Sequence, residues 1–307
     1  MNGSAPMARN ILQGSSEWRR RRHALLGSGR WLAACAAALL AGCQQTGVLD
    51  PQGPIAFAEL QIMADSTAIM LAIVVPTILA TLGVAFWFRA SNRRARYLPD
   101  FEHSSRLELL VWAIPILTVL LVGSVAWVAS HDLDPQKSIE STARPVRVQV
   151  ISLDWKWLFI YPDEGIATVN QLTIPAGRPV NFELTGSGVM NSFFVPQLGS
   201  QMYTMAGMVT NLNLQADHEG TYHGLSAEFS GDGFADMRFT VDAVSDGDYA
   251  KWLADAHSAG RALDADTYTE LAKPSAAVVP ITYGTVASNI FDSVVRAAAA
   301  DCIGQKP

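Results

Sequence analysis

Two apolar runs, from about Ser66 to Phe88 and from about Leu107 to Ala129, constrain the fold more than any other feature of the chain. Each is close to the roughly 20 residues that a helix needs to cross a bilayer. In hydrocarbon every backbone amide has to find its partner within the segment, so a helical hairpin is the structure such a pair predicts. Pro76 and Pro115 fall inside the runs. A proline costs a water-exposed helix about 3 kcal/mol, but membrane helices tolerate it when neighbours satisfy the freed carbonyl. Trp87, Trp112 and Trp127 lie near the ends, as interfacial anchors do. The loop 89–106 sets Arg89, Arg93, Arg94, Arg96 and Arg106 against Asp100 and Glu102. Arginine excess marks the cytoplasmic side, so both outer flanks of the hairpin are expected in the periplasm. Core helices of a soluble protein are the alternative, and the charges gathered between the runs speak against it.

Residues 1–42 read as a targeting segment. Arg19-Arg20-Arg21-Arg22 supply a positive region, and Trp31 to Leu40 an apolar stretch too short to span a bilayer. Leu40-Ala41-Gly42-Cys43 is similar to a bacterial lipobox. That resemblance implies cleavage before Cys43 and acylation of its thiol, on the periplasmic side that the arginine loop requires. An uncleaved signal anchor is the alternative, and a twin-arginine signal a weaker one. Residues 43–65 would then be a periplasmic N-terminal segment.

Half of the 307 residues are apolar and only 16% are charged, a balance that suits a membrane protein with a water-exposed part. The net charge is −6 and no basic stripe or basic–aromatic alternation runs through the C-terminal part, which argues against a nucleic-acid partner. Cys35, Cys43 and Cys302 give no disulfide framework, and Cys302 reads as an inert tail thiol. From about Pro145 to Ala243 the pattern changes. Val146, Val148 and Val150 alternate with polar neighbours, and short apolar runs recur at 166–174, 180–185, 208–216 and 234–241. Turn signals at Pro175-Ala176-Gly177, Gly186-Ser187-Gly188, Glu219-Gly220 and Gly231-Asp232-Gly233 separate them. Short strands punctuated in this way predict an antiparallel sandwich or barrel. Tyr249–His257 and Ala265–Ala272 read as short helices within a segment 245–272, and 273–307 as a flexible tail.

The chemistry concentrates in Ser226-Ala227-Glu228-Phe229-Ser230-Gly231-Asp232-Gly233-Phe234-Ala235-Asp236-Met237, with Met190-Asn191-Ser192-Phe193-Phe194-Val195-Pro196 and Asp154-Trp155-Lys156-Trp157 upstream. Cys at Ser226 and Ser230 and His at Phe234 and Asn191, with Met237 kept, would reproduce the dinuclear copper centre of cytochrome c oxidase subunit II. Soft copper needs thiolate and imidazole, and hydroxyls, an amide and a phenyl ring do not replace them. The chain thus resembles subunit II of the bacterial quinol oxidases, the cytochrome bo-type branch of the haem-copper oxidases, over about residues 60–272.

That resemblance implies a two-helix transmembrane hairpin followed by a cupredoxin-like antiparallel β-barrel. It implies a degenerate copper site at Asn191, Ser226, Glu228, Ser230, Phe234 and Met237, and no metal or other cofactor in this subunit. Ser226, Ser230 and Asn191 can hydrogen-bond one another where metal once held the loops, and Phe234 can take the space of an imidazole. Haem and copper are expected in a large partner, subunit I, accompanied by further small membrane subunits. The complex would bind ubiquinol, reduce dioxygen to water and pump protons across a bacterial inner membrane. Glu108 resembles the subunit II glutamate at the mouth of a proton channel, although a carboxylate at a helix end can also simply snorkel. A periplasmic membrane lipoprotein acting as an assembly factor or sensor is the alternative function; a copper-bearing cytochrome c oxidase subunit would need the missing Cys and His.

Overall fold

The computed structural model describes residues 47–96 and 100–304. The expected signal segment 1–42 and Cys43 lie outside them. Two helices come first, α1 at Pro54–Trp87 and α2 at Ser105–Asp132. Both are long and apolar enough to cross a membrane. α1 begins at Pro54, well before the apolar run, because proline at the first helical position gives up an amide that has no partner there anyway. At 1.5 Å per residue α1 is about 51 Å long, so its first turns extend past a hydrocarbon core of about 30 Å. No residue of α2 is buried and only Ala56 of α1 is. Leu109, Val119 and Trp127 are about 70% exposed, so the hairpin's apolar surface is left for lipid or for another chain.

The segment entering α1 is bolted to the C-terminal β-domain. Gln52 donates its amide to Gln197 O at 2.7 Å, and Gln197 Nε2 reaches Asp50 Oδ2 at 3.0 Å. The Ser200 hydroxyl donates to the Glu59 carboxylate. A Cβ on Gly53 would stand 2.1 Å from Gln215 O, so only glycine permits this approach. After α2, the Pro135 and Gln136 carbonyls accept from Asn213 Nδ2 at 3.2 and 3.1 Å.

The β-domain is a sandwich. β1 (Val146–Leu153), β2 (Lys156–Tyr161), β3 (Ile166–Val169), β5 (Val180–Gly186), β8 (Thr210–Leu214) and β12 (Ile281–Tyr283) form one sheet in the order β12-β3-β2-β1-β5-β8. β4 (Gln171–Pro175), β6 (Asn191–Phe194), β7 (Met202–Thr204), β9 (Gly220–Ser226) and β10 (Arg238–Val244) form the other, in the order β4-β10-β9-β6-β7. The pairings β1–β5 and β4–β10 are parallel within an otherwise antiparallel arrangement of these sheets. The expected strand 166–174 divides at Asn170, whose φ of 56° turns the chain from one sheet into the other. Its side chain makes the turn self-supporting: Oδ1 accepts from Trp157 N at 2.9 Å and Nδ2 donates to Val278 O at 2.8 Å. Between the sheets lies an aromatic core of Trp157, Phe159, Phe182, Phe193 and Phe239, with Phe193 and Phe239 stacked at 5.0 Å.

The outer face of the six-stranded sheet is covered too. After α3 (Asp246–His257), β11 (Ala262–Leu263) and α4 (Ala265–Leu271), the chain adds β12, β13 (Thr285–Val286) and α5 (Ile290–Gly304). Leu263, Tyr283, Ile290, Phe291 and Val294 pack on Ile151, Leu153, Leu158, Ile160, Ala167 and Val169 in a second buried cluster. The flexible tail expected over 273–307 is therefore corrected: through Gly304 the segment carries strands and a helix. The physical reason is that β2, β3 and the end of β1 from Val150 carry apolar side chains on both faces and need a cover on each.

Candidate functional site

Asn191 opens β6 and Ser226 closes β9, and the β6–β9 ladder brings them together beside the Phe193–Ser226 pair. Both are buried. The Ser226 hydroxyl stands 3.0 Å from Asn191 Oδ1 and 3.2 Å from Glu228 O, so its single proton is shared between two acceptors. Asn191 Nδ2 donates to Val189 O at 3.0 Å. Ser226 N donates to Met237 O, and Ala227 N to Ser192 O, each at 3.0 Å. The Ser230 hydroxyl turns elsewhere, to Met237 Sδ at 3.9 Å, with the sulfur buried. Phe234 opens a short 3₁₀ turn, Phe234–Asp236, and its ring meets Phe229 edge-on at 5.6 Å.

Trp155 roofs the loop. Its Nε1 donates to Ser230 O at 3.1 Å, and its backbone takes φ 64° to aim the ring there. A Cβ on Gly233 would sit 2.4 Å from the indole Cγ, so this glycine lets the ring lie flat on the loop. Neighbouring Lys156 is buried at 1% exposure. Its ammonium donates to Ser275 Oγ at 2.6 Å, Lys273 O at 2.8 Å and Asp154 O at 3.3 Å. Burial pulls its pKa below the usual lysine value, with the Asp154 charge opposing. Lys156 thereby anchors the C-terminal segment; nothing local in the sequence announces that.

These residues do not fit a dinuclear copper centre. Such a centre needs thiolate bridges and imidazole, and the converging groups here are hydroxyl, amide and carbonyl already bonded to one another, with a single thioether. Among the described residues, no three of His, Cys, Asp and Glu gather as a metal set.

Glu108 lies far along the chain from this loop, in the first turn of α2. A carboxylate there is favoured by the helix N-terminus. Its Oε2 is 3.3 Å from His103 Nδ1, and His103 Nε2 is 3.2 Å from Ser105 Oγ. All of these groups are exposed. His103 was not singled out in the sequence, where it is one histidine in a polar loop.

The family models that match are the periplasmic domain of cytochrome c oxidase subunit II, over residues 164–244, and the COX aromatic-rich motif, over 257–297. The second covers much of the segment that clothes the outer face. Among relatives, the chain is 44% identical to cytochrome bo(3) ubiquinol oxidase subunit 2 of Pseudomonas aeruginosa, across 87% of this chain and 80% of that one. It is 46% identical to ubiquinol oxidase subunit 2 of Acetobacter aceti, across 84% of each. It is 38% identical to quinol oxidase subunit 2 of Bacillus cereus, across 76% of this chain and 81% of that one.

Proposed function

The chain belongs to the ubiquinol oxidase subunit 2 family, and from that premise we propose that it is the non-redox subunit II of a proton-pumping complex that oxidises ubiquinol and reduces dioxygen to water. The observation that carries this reading is the hydrogen-bonded Asn191–Ser226–Glu228 cluster standing where copper-bearing relatives have ligands. A subunit without a metal pair cannot pass electrons from a soluble donor. The electrons therefore come from quinol, and haem and copper belong to the large partner subunit.

The hairpin docks on that large subunit and on further small membrane subunits, a role supported by its unpartnered apolar faces. The β-domain covers the periplasmic side of a bacterial inner membrane, the orientation that the arginine loop favours. Cleavage before Cys43 and acylation of its thiol would add a lipid anchor on the same side. Glu108 collects protons at the cytoplasmic mouth of a channel into the large subunit, with His103 as its hydrogen-bonding neighbour.

Purification from the native membrane in mild detergent tests the core of this reading. We expect a polytopic haem protein to accompany the chain. The visible absorption of a mixed-valence copper pair in this polypeptide, or isolation without haem, would overturn it. For the proton role, Glu108→Ala should slow steady-state turnover with assembly intact. Unchanged turnover would leave Glu108 as a helix-end charge only.

A further inference from the structure

One end of the sandwich gathers arginines from separate segments. Arg144 precedes β1, Arg147 lies within it, and Arg178 sits in the turn between β4 and β5. Facing them are Asp163 and Glu164 in the β2–β3 turn and Tyr249 near the start of α3. All of these line a cavity of about 110 Å³. Backbone bonds fix the walls. Val146 N donates to Pro179 O at 2.9 Å and seats the Arg178 turn beside β1, and Gly165 N donates to Tyr161 O at 2.8 Å and closes the turn of Asp163 and Glu164. Arg178 is itself held in place: its Nε and Nη2 donate to Arg144 O at 3.3 and 3.0 Å, and its side chain is only 28% exposed. A site whose groups are positioned beforehand binds without the cost of ordering them.

The cavity has donors to spare. Its guanidinium–carboxylate pairs are all long: Arg144–Asp163 at 3.6 Å, Arg147–Asp163 and Arg147–Glu183 at 3.5 Å, and Arg178–Asp246 at 3.4 Å. Tight pairs of this kind close to about 2.7–2.9 Å, and a guanidinium carries more donors than these contacts use. Tyr249 adds another donor. It is 6% exposed, and its buried hydroxyl has no hydrogen-bond partner among the described residues. Burial raises its pKa, the Glu164 charge raises it further and Arg178 opposes, so both walls of the cavity act on this hydroxyl. A buried hydroxyl left unpaired is destabilising, and a ligand in the cavity gives it an acceptor.

We propose that this cavity binds inorganic phosphate. The phosphate oxygens accept from Arg144, Arg178 and the Tyr249 hydroxyl, a set of donors matched to an oxyanion. At neutral pH phosphate still carries an O–H, which donates to Asp163 or Glu164. The two carboxylates therefore admit a protonated oxyanion and repel sulfate, which has no proton to give. At about 110 Å³ the cavity is far below the roughly 300–1,000 Å³ of sites for larger ligands. Free phosphate fits it and a sugar phosphate does not. The site shares no residue with the Asn191–Ser226 cluster or with Glu108.

The test is calorimetric titration and thermal unfolding of the full-length chain in detergent at neutral pH, with inorganic phosphate, sulfate or glycerol phosphate at matched ionic strength. The expected result is one equivalent of phosphate bound and a melting temperature that rises with its concentration, with sulfate and glycerol phosphate inactive. Tyr249→Phe keeps the ring stacked on Trp252 at 5.6 Å and removes only the hydroxyl. It should weaken phosphate binding about tenfold and leave the ligand-free protein at least as stable as wild type. Arg178→Gln should weaken binding about tenfold or more. Arg296→Gln, the same loss of charge on α5, should leave it unchanged. An equal phosphate response in wild type and Tyr249→Phe would overturn the proposal. So would sulfate acting as well as phosphate, tighter binding of glycerol phosphate, or an Arg296→Gln loss equal to that of Arg178→Gln, which would reduce the effect to diffuse charge.

Discussion

At the scale of single residues, the buried hydroxyl of Ser226 and amide of Asn191 satisfy each other at 3.0 Å and keep β6 and β9 in register. The spacing of Ser226, Ser230, Phe234 and Met237 made this loop legible in the sequence. Its internal wiring was less so. Ser230 joins Met237 Sδ rather than the Ser226–Asn191 pair, and Phe234 packs on Phe229, because the path of the loop under Trp155 sets those directions. Lys156 supplies a test by pH. Its folded-state pKa lies below the ordinary 10.5, so between those values the unfolded chain binds more protons than the folded one. The penalty is thus complete below the folded-state pKa and is relieved as pH rises from there toward 10.5. Chemical denaturation of wild type and Lys156→Met should show wild type gaining stability relative to the variant across that range, by at most about 1.4 kcal/mol per pH unit. A flat difference would mean that the ammonium titrates alike in both states.

At the scale of elements, β1 announced itself by the alternation of Val146, Val148 and Val150, and the helices expected over Tyr249–His257 and Ala265–Ala272 form at 246–257 and 265–271. β2 is different. Trp157-Leu158-Phe159-Ile160-Tyr161 is apolar on both faces, which a strand shows only when each face is covered. The cover on the outer face is the segment read as a mobile tail. Val278, Ile281, Ile290, Phe291 and Val294 are scattered through polar sequence and make a pattern only against a sheet built elsewhere. Cutting the chain after Pro280 should therefore bare Ile151, Leu158, Ile160 and Val169 and turn β3 into a sheet edge. We expect the truncated protein to bind a hydrophobic dye and to aggregate, whereas a dispensable tail would leave a monodisperse chain of unchanged melting temperature.

At the scale of the whole molecule, hairpin and sandwich are joined at both ends of the hairpin, through Gln52, Gly53 and Glu59 on one side and Pro135–Gln136 on the other. The apolar runs gave the hairpin from sequence alone; the joint was invisible there, since Gly53 differs from any loop glycine only by the carbonyl that lies 2.1 Å from its absent Cβ. Gly53→Val should force the start of α1 away from Gln215, the residue that follows β8. Protease cleavage between residues 47 and 54 should then accelerate, about tenfold for each 1.4 kcal/mol lost from the closed state. Cleavage at the wild-type rate would mean that the contact is incidental.

An α1 clamped at its head in this way has no swivel. Membrane helices adjust to bilayer thickness by leaning. Over α1's length of about 51 Å, a lean of about 10° carries the far end sideways by about 9 Å. The sandwich rides on that end, so a change in lipid thickness becomes a lateral swing of everything outside the membrane.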